Sequence, residues 1–132
     1  DDQLDLVIFG GSIHYATSLE ETLREALRVL RRDGKVVILD SPVYGHTRSG
    51  EQMVAELQQQ LAREHSIDAS VLPHENFLTP RRLSSLGAAL GIRWRLKEPF
   101  YGWRWALAPW LARLRGRRQP ARFYLITGER HP

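Results

Sequence analysis

One stretch of the chain, residues 4–40, constrains the fold more than any other. It begins with a short apolar run, residues 4–9, which ends in two glycines, and it closes with a second apolar run, residues 35–40. Runs this short, apolar at successive positions, are typical of strands buried on both faces of a parallel sheet. Between them, apolar residues recur at helical spacing. The stretch therefore predicts a strand, a crossover helix and a second parallel strand.

The crossover helix carries its own start and stop signals. Ser18 can cap its first turn, and Glu21, three residues later, completes a capping box. Gly34 is the kind of residue that ends a helix. We therefore expect a helix over residues 19–32 and a strand over residues 35–39.

The rest of the chain predicts two helices, a half-exposed strand and a late antiparallel strand. Their predicted bounds are residues 51–64, 80–90, 92–97 and 123–128. Residues 66–78 contain Pro73 and predict an irregular connection. At 132 residues the chain is expected to form one domain, 1–132, of the α/β class with a mostly parallel sheet.

The composition excludes several classes of protein. The chain has no cysteine, which excludes a disulfide framework and a thiolate metal site. His65 and His74 lack the spacing and companions of metal ligands, so no metal is expected. No apolar run is long enough to cross a bilayer. These features favour a soluble, cytoplasmic protein.

Charge is divided unevenly along the chain. Residues 1–80 carry 7 Lys or Arg and 13 Asp or Glu, whereas residues 81–132 carry 12 and 2, giving about −6 and +10. Such a division occurs in proteins that bind nucleic acid, membranes or acidic partners, but solvated surface arginines are the favoured interpretation. No nucleic-acid motif accompanies the basic half, and neither a nucleic acid nor a membrane is expected as a partner.

The basic half contains a stretch, residues 98–119, in which tryptophans alternate with arginines. These side chains could bind a planar or anionic substrate, contact a membrane surface, or pack with the tryptophans inward and the arginines reaching solvent. Inward packing, as part of a substrate lid, is the favoured interpretation.

The first 40 residues also resemble a known family. Residues 4–15 read LDLVIFGGSIHY and residues 23–40 read LREALRVLRRDGKVVILD. These segments resemble class I S-adenosylmethionine-dependent methyltransferases, in which an x-D-x-V-x-x-x-x-x-x-H strand precedes a helix ending R-V-L-x-x-G-G and a strand with an acidic end. Asp33-Gly34 stands where that family has two glycines. The resemblance implies a Rossmann-like fold and S-adenosylmethionine as cofactor.

The resemblance covers only the carboxyl-terminal half of the family's fold. The family's first strand, its glycine-rich cofactor turn and its second strand with a ribose-binding acid have no counterpart in the sequence. The chain thus resembles strands four to seven of a seven-stranded sheet, either cut from a longer protein or naturally reduced, and we expect it to be inactive alone. Its first strand should present an open edge that pairs with a second copy or with the missing half.

The predicted site lies beyond the carboxyl ends of the two parallel strands, where parallel sheets bind ligands. In the family a residue at the position of His14 lies near the reacting methyl group, so His14 is the candidate base, although it could instead shape its loop. Asp40 ends the second strand and could face the acceptor or simply cap the loop. The full set is Phe9, Gly10, Gly11 and Ser12 beside the cofactor, His14 as the catalytic residue, and Asp40, Ser41 and Tyr44 beside the acceptor.

Two functions follow as hypotheses. The first is part of a methyltransferase that acts on a small-molecule acceptor. The second is a non-catalytic binding or assembly module whose basic surface meets an acidic partner.

Overall fold

The computed structural model describes residues 3–66, 74–100 and 102–131. The strands are β1 (Leu4–Gly10), β2 (Leu30–Leu39), β3 (Pro42–Val43), β4 (Ile92–Lys97), β5 (Arg122–Phe123) and β6 (Leu125–Arg130). The helices are α1 (Leu19–Val29), α2 (Thr47–His65), α3 (Pro80–Leu90) and α4 (Trp103–Leu114), and Ile13–Tyr15 form a single 3₁₀ turn.

Four strands form one sheet in the order β1, β2, β6, β4. β1 and β2 are parallel, with Val7 opposite Val36, while β6 runs antiparallel to both β2 and β4. The expected α/β class and late antiparallel strand are confirmed, but the sheet is mixed, and the expected parallel pairing holds for its first pair. β3 and β5 form a separate two-stranded ladder in which Pro42 pairs with Phe123. The sequence predicted that Phe123 would belong to the last strand, and that part of the prediction is wrong.

The hydrophobic core lies on one face of this sheet. Val36 and Ile38 of β2 are buried there beside Ile126 of β6. Two amphipathic helices, α1 and α3, cover that face with leucines at helical spacing. The helix residues in the core include Leu19, Leu23, Leu83 and Leu86.

The other face of β1 is open to solvent. Val7 and Phe9 pack against the core, and the alternation of side chains along a strand sends Leu6 and Ile8 the opposite way. Both are exposed, Ile8 at 55% of its surface. β1 is also the edge of its sheet among the described strands. The predicted open edge is therefore present in the structure.

The end of α1 differs from the sequence prediction. The helix stops at Val29, not Arg32, and β2 already begins at Leu30. The reason is a contact from the far end of the chain: the Arg130 guanidinium donates hydrogen bonds to the carbonyl oxygens of Leu27 and Leu30. The Leu27 carbonyl also accepts from the Leu30 amide, so Arg130 adds a second donor at the last turn, where a helix leaves carbonyls without a full set of partners. Gly34 therefore lies inside a strand and does not end the helix.

The other predicted elements agree closely with the structure. α3 and β4 have the predicted bounds, and α2 extends the predicted helix at both ends. Thr79 caps α3 by accepting a hydrogen bond from the Arg82 amide at 3.1 Å. Most of the predicted irregular connection, including Pro73, lies outside the described residues. Within residues 3–66, 74–100 and 102–131, the helices are too short or too polar to cross a membrane.

The interpretation of the tryptophan-rich stretch is wrong. Trp103 and Trp110 of α4 are 77% and 73% exposed, so they do not pack inward. Sequence spacing alone could not reveal this, because the side of a helix that faces the rest of the chain is set by the tertiary fold.

Candidate functional site

Two loops meet at the carboxyl ends of the parallel strands. Gly10 lies opposite Leu39 at the end of the ladder, and the Gly11 amide donates a hydrogen bond of 2.9 Å to the Leu39 carbonyl. Gly11 adopts a left-handed backbone with φ of 60°, which glycine tolerates without strain. An ideal Cβ placed on Gly11 would lie 3.8 Å from the Asp40 Cβ. The predicted cofactor residues and the predicted acceptor residues thus adjoin.

His14 and Ser41 form the central contact of this site. The His14 Nδ1 lies 3.1 Å from the Ser41 Oγ, although the two residues are 27 positions apart. Ser41 is 1% exposed, and its hydroxyl also lies 3.5 Å from the Leu39 carbonyl oxygen, to which it can donate. When the hydroxyl donates there, it accepts from Nδ1–H, and the His14 Nε2 is left unprotonated. That tautomer is the one in which Nε2 can take a proton.

Burial also favours the neutral form of the His14 imidazole. Partial desolvation lowers the pKa of the His14 imidazole below its ordinary 6.5, because it penalises the charged form. The ring is therefore neutral at pH 7. Tyr15 packs beside it with ring centroids 4.2 Å apart. A neutral, partly shielded imidazole is suited to general-base chemistry.

A segment that sequence reasoning left unassigned holds the His14 loop in place. The Asn76 amide donates to the His14 carbonyl at 2.7 Å, and the Glu75 amide donates to the Ala16 carbonyl at 2.9 Å. The Glu75 carboxylate also accepts from the Leu19 amide at the start of α1. Only the chain's fold brings this segment there, since no local motif marks it.

Asp40 and Tyr44 have different surroundings. Asp40 is exposed and adopts a left-handed backbone with φ of 52°. Tyr44 is buried, and its hydroxyl accepts a hydrogen bond of 3.3 Å from Arg118. Burial raises the pKa of the Tyr44 phenol above its ordinary 10.0, with the Arg118 charge opposing the rise. Arg118 in turn donates to Glu56 at 2.8 Å. Sequence reasoning missed this link, because Arg118 is 74 residues from Tyr44.

A second concave region lies away from the strand ends. It is a groove of about 890 Å³ between α2 and α4, in which Arg118 is a lining residue. The predicted site residues do not line it within the described part of the chain. Nor do the described residues contain a group of three or more His, Cys, Asp or Glu that could hold a metal ion.

Comparisons with known proteins show what the chain is similar to in sequence and fold. A family model described as a methyltransferase domain matches residues 1–38. No curated protein matches the chain. Among solved structures, the YcgJ protein of Bacillus subtilis is 14% identical with a TM-score of 0.60, and the alignment covers 100% of this chain and 66% of that one.

Two further solved structures match in the same way. A Thermotoga maritima S-adenosylmethionine-dependent methyltransferase, described as a possible histamine N-methyltransferase, is 14% identical with a TM-score of 0.54 over 97% of this chain and 56% of its own. A Methanosarcina mazei S-adenosylmethionine-dependent methyltransferase is 11% identical with a TM-score of 0.52 over 100% and 62%. The chain thus spans less than two thirds of these structures.

These findings confirm the resemblance stated from the sequence. The chain has the α/β fold of S-adenosylmethionine-dependent methyltransferases in part, and its first 38 residues match the methyltransferase-domain model. The Thermotoga maritima and Methanosarcina mazei proteins are the ones described as using S-adenosylmethionine as cofactor.

The described residues fit one border of such a cofactor. Gly10 is exposed at the sheet edge, and a Cβ placed on it would have no neighbour within 4 Å, which leaves its backbone open to approach. Ser12 is exposed beside it. The Gly11 amide, by contrast, is already bound to Leu39, and Phe9 packs against the core. Gly10 and Ser12 are therefore better placed than Phe9 and Gly11 to face a ligand.

Proposed function

We propose that this chain is the carboxyl-terminal half of an S-adenosylmethionine-dependent methyltransferase that modifies a small-molecule acceptor. The observation that carries the proposal is the His14–Ser41 contact of 3.1 Å at the adjoining ends of β1 and β2. Parallel sheets bind their ligands at this position. The partial methyltransferase fold supports the same conclusion.

In this proposal His14 is the general base. The cofactor, when bound, would supply an electrophilic methyl group, whose bond to the sulfonium sulfur would break as neutral S-adenosylhomocysteine leaves. His14 Nε2 takes the proton from a hydroxyl or amine of the acceptor, whose oxygen or nitrogen then carries the methyl group. Ser41 is a positioning residue, because its hydroxyl holds Nδ1 protonated and orients the ring. Neutral His14 at pH 7 meets the requirement for a base.

The remaining site residues surround this pair. Gly10 and Ser12 border the cofactor at the open edge, with Phe9 and Gly11 supporting them from the core side. Asp40 is exposed beside Gly11 and contacts the acceptor. Phe9 and Gly11 thus act through the loop's shape and not by direct binding.

Tyr44 is buried and supports the proposed acceptor site without being exposed to it. Its phenol is neutral at physiological pH, because burial raises its pKa, and Arg118 fixes the hydroxyl. We expect it to hold the wall of the acceptor site in position.

The competing hypothesis is a binding module with no cofactor. The observation that favours it is the row of exposed cations on one face of β4, Arg93, Arg95 and Lys97. An acidic partner would complement that row.

Calorimetry with S-adenosylhomocysteine separates the two hypotheses. The complete product of the gene that encodes this chain should bind it saturably if the proposal is correct, because the cofactor product shares the adenosyl group. The 132-residue chain alone should bind weakly or not at all. Absence of binding by the complete gene product would support the binding module and contradict the methyltransferase.

A further inference from the structure

Helix α4 presents a continuous apolar face to solvent. Its apolar residues recur at intervals of four, three, one and three positions, which places them on one side of a helix. They are Trp103, Leu107, Trp110, Leu111 and Leu114, and all are exposed. Exposed apolar faces of this kind mark interaction surfaces. We call these five residues the α4 apolar face.

Other residues of α4 border concave regions of the protein. Ala108 and Ala112 line the groove shared with α2, and Trp105 lines a smaller cleft with Glu98 and Arg122. Trp103 lies edge-on to the exposed Phe100 with ring centroids 5.7 Å apart, and Leu111 also borders the groove, whereas Leu107, Trp110 and Leu114 line neither the groove nor the cleft. Most of the α4 apolar face is therefore open to solvent.

Positive charge borders this face. At about 3.6 residues per turn, Arg104 and Arg113 fall on its two opposite sides, and Arg115 and Arg117 follow the helix end. Residues 99–128 contain six arginines and no Asp or Glu. Among the described residues, the ion pairs of the structure leave Arg104 and Arg113 without a carboxylate.

We propose that α4 lies in the surface of an anionic lipid bilayer, with its apolar face in the outer acyl region and its arginines at the phosphates. Tryptophans are enriched at the membrane–water interface, leucines are buried favourably among acyl chains, and arginines near the surface are attracted to anionic lipids. A nucleic acid would place phosphates against the centre of the surface, where this helix has leucines. A helix of 12 residues is too short to span a bilayer. This proposal replaces the expectation of no membrane partner.

Vesicle binding by the 132-residue chain tests the proposal. The probes are vesicles of phosphatidylcholine alone and of phosphatidylcholine mixed with phosphatidylglycerol, with binding measured by co-sedimentation. We expect binding to the mixed vesicles, weakening as salt rises. The double variant Trp103→Ala/Trp110→Ala should reduce partitioning by about tenfold or more. Arg113→Gln should reduce it about fivefold, because each surface cation contributes separately to binding an anionic bilayer.

Two matched variants control for non-specific adsorption to vesicles. Ile8→Ser removes an exposed apolar side chain from the open face of β1, and Arg63→Gln removes an exposed arginine from the last turn of α2. Both should bind mixed vesicles as the unmodified chain does. Circular dichroism checks that each variant is folded.

Three results would overturn the proposal. They are absence of binding to mixed vesicles, equal binding by the folded double-tryptophan variant, and loss of binding in Ile8→Ser alone. If the chain binds a single-stranded oligonucleotide but not the mixed vesicles, the arginines serve nucleic-acid binding, and this result would also overturn the proposal.

Discussion

At the scale of single residues, the account depends on the protonation state of His14. Burial lowers the pKa of His14 below 6.5, so between that lowered value and 6.5 the unfolded chain binds more protons than the folded chain. Stability should therefore rise with pH across this interval. We expect an NMR titration of the His14 ring protons in the 132-residue chain to give a midpoint below 6.5. A His14 midpoint at or above 6.5 would contradict the assigned environment.

Residue-level prediction from the sequence named candidate site residues but not the contacts between them. His14 and Ser41 are both marked by their positions after apolar strands, yet their hydrogen bond joins residues 27 positions apart. Tyr44 was expected beside the acceptor, and its burial against Arg118 depends on a contact across 74 positions. Such long-range pairs leave no local signal in a single sequence.

At the scale of elements, the capping residues in the sequence correctly predicted the helix ends that depend on local hydrogen bonds. Ser18 accepts the hydrogen bond of the Glu21 amide at the start of α1, as expected, and Gly91 ends α3 in the left-handed conformation. The end of α1 was mispredicted, because Arg130 of β6 binds the last carbonyls of that helix. The exposed tryptophans of α4 were mispredicted for the same kind of reason, since the side of a helix that packs is a tertiary property.

The contact between β4 and β6 gives a prediction at this scale. Trp94 lies directly over Gly128, and a Cβ placed there would come within 2.5 Å of the indole ring. Gly128→Ala should therefore lower the free energy of unfolding by about 1–3 kcal/mol through overpacking. Gly10→Ala is the matched control, because nothing lies within 4 Å of its Cβ position. Urea denaturation would measure both, and an equally stable Gly128→Ala variant would contradict the described packing.

At the scale of the whole molecule, the open edge and open face of β1 predict self-association. Unpaired strand edges join to one another, and exposed apolar side chains such as Leu6 and Ile8 add about 25 cal/mol for each Å² buried. We expect the 132-residue chain to sediment as a dimer or larger species at micromolar concentration. Ile8→Lys should shift it toward monomer, whereas Leu57→Lys, at an exposed leucine of α2, should not. A strictly monomeric mass across a wide concentration range would show that the edge is protected.

The central claim is that this chain carries the acceptor side of a methyl-transfer site with His14 as its base. The most direct measurement is the formation of S-adenosylhomocysteine by the complete gene product with a panel of small phenols and amines. We expect acceptor-dependent turnover that falls by about a hundredfold or more in His14→Ala and is unchanged in His65→Ala. Ser41→Ala should shift the pH dependence of turnover, and Ser41→Thr, which keeps the hydroxyl, should restore the original pH dependence. Undiminished turnover by the His14→Ala protein would contradict the claim.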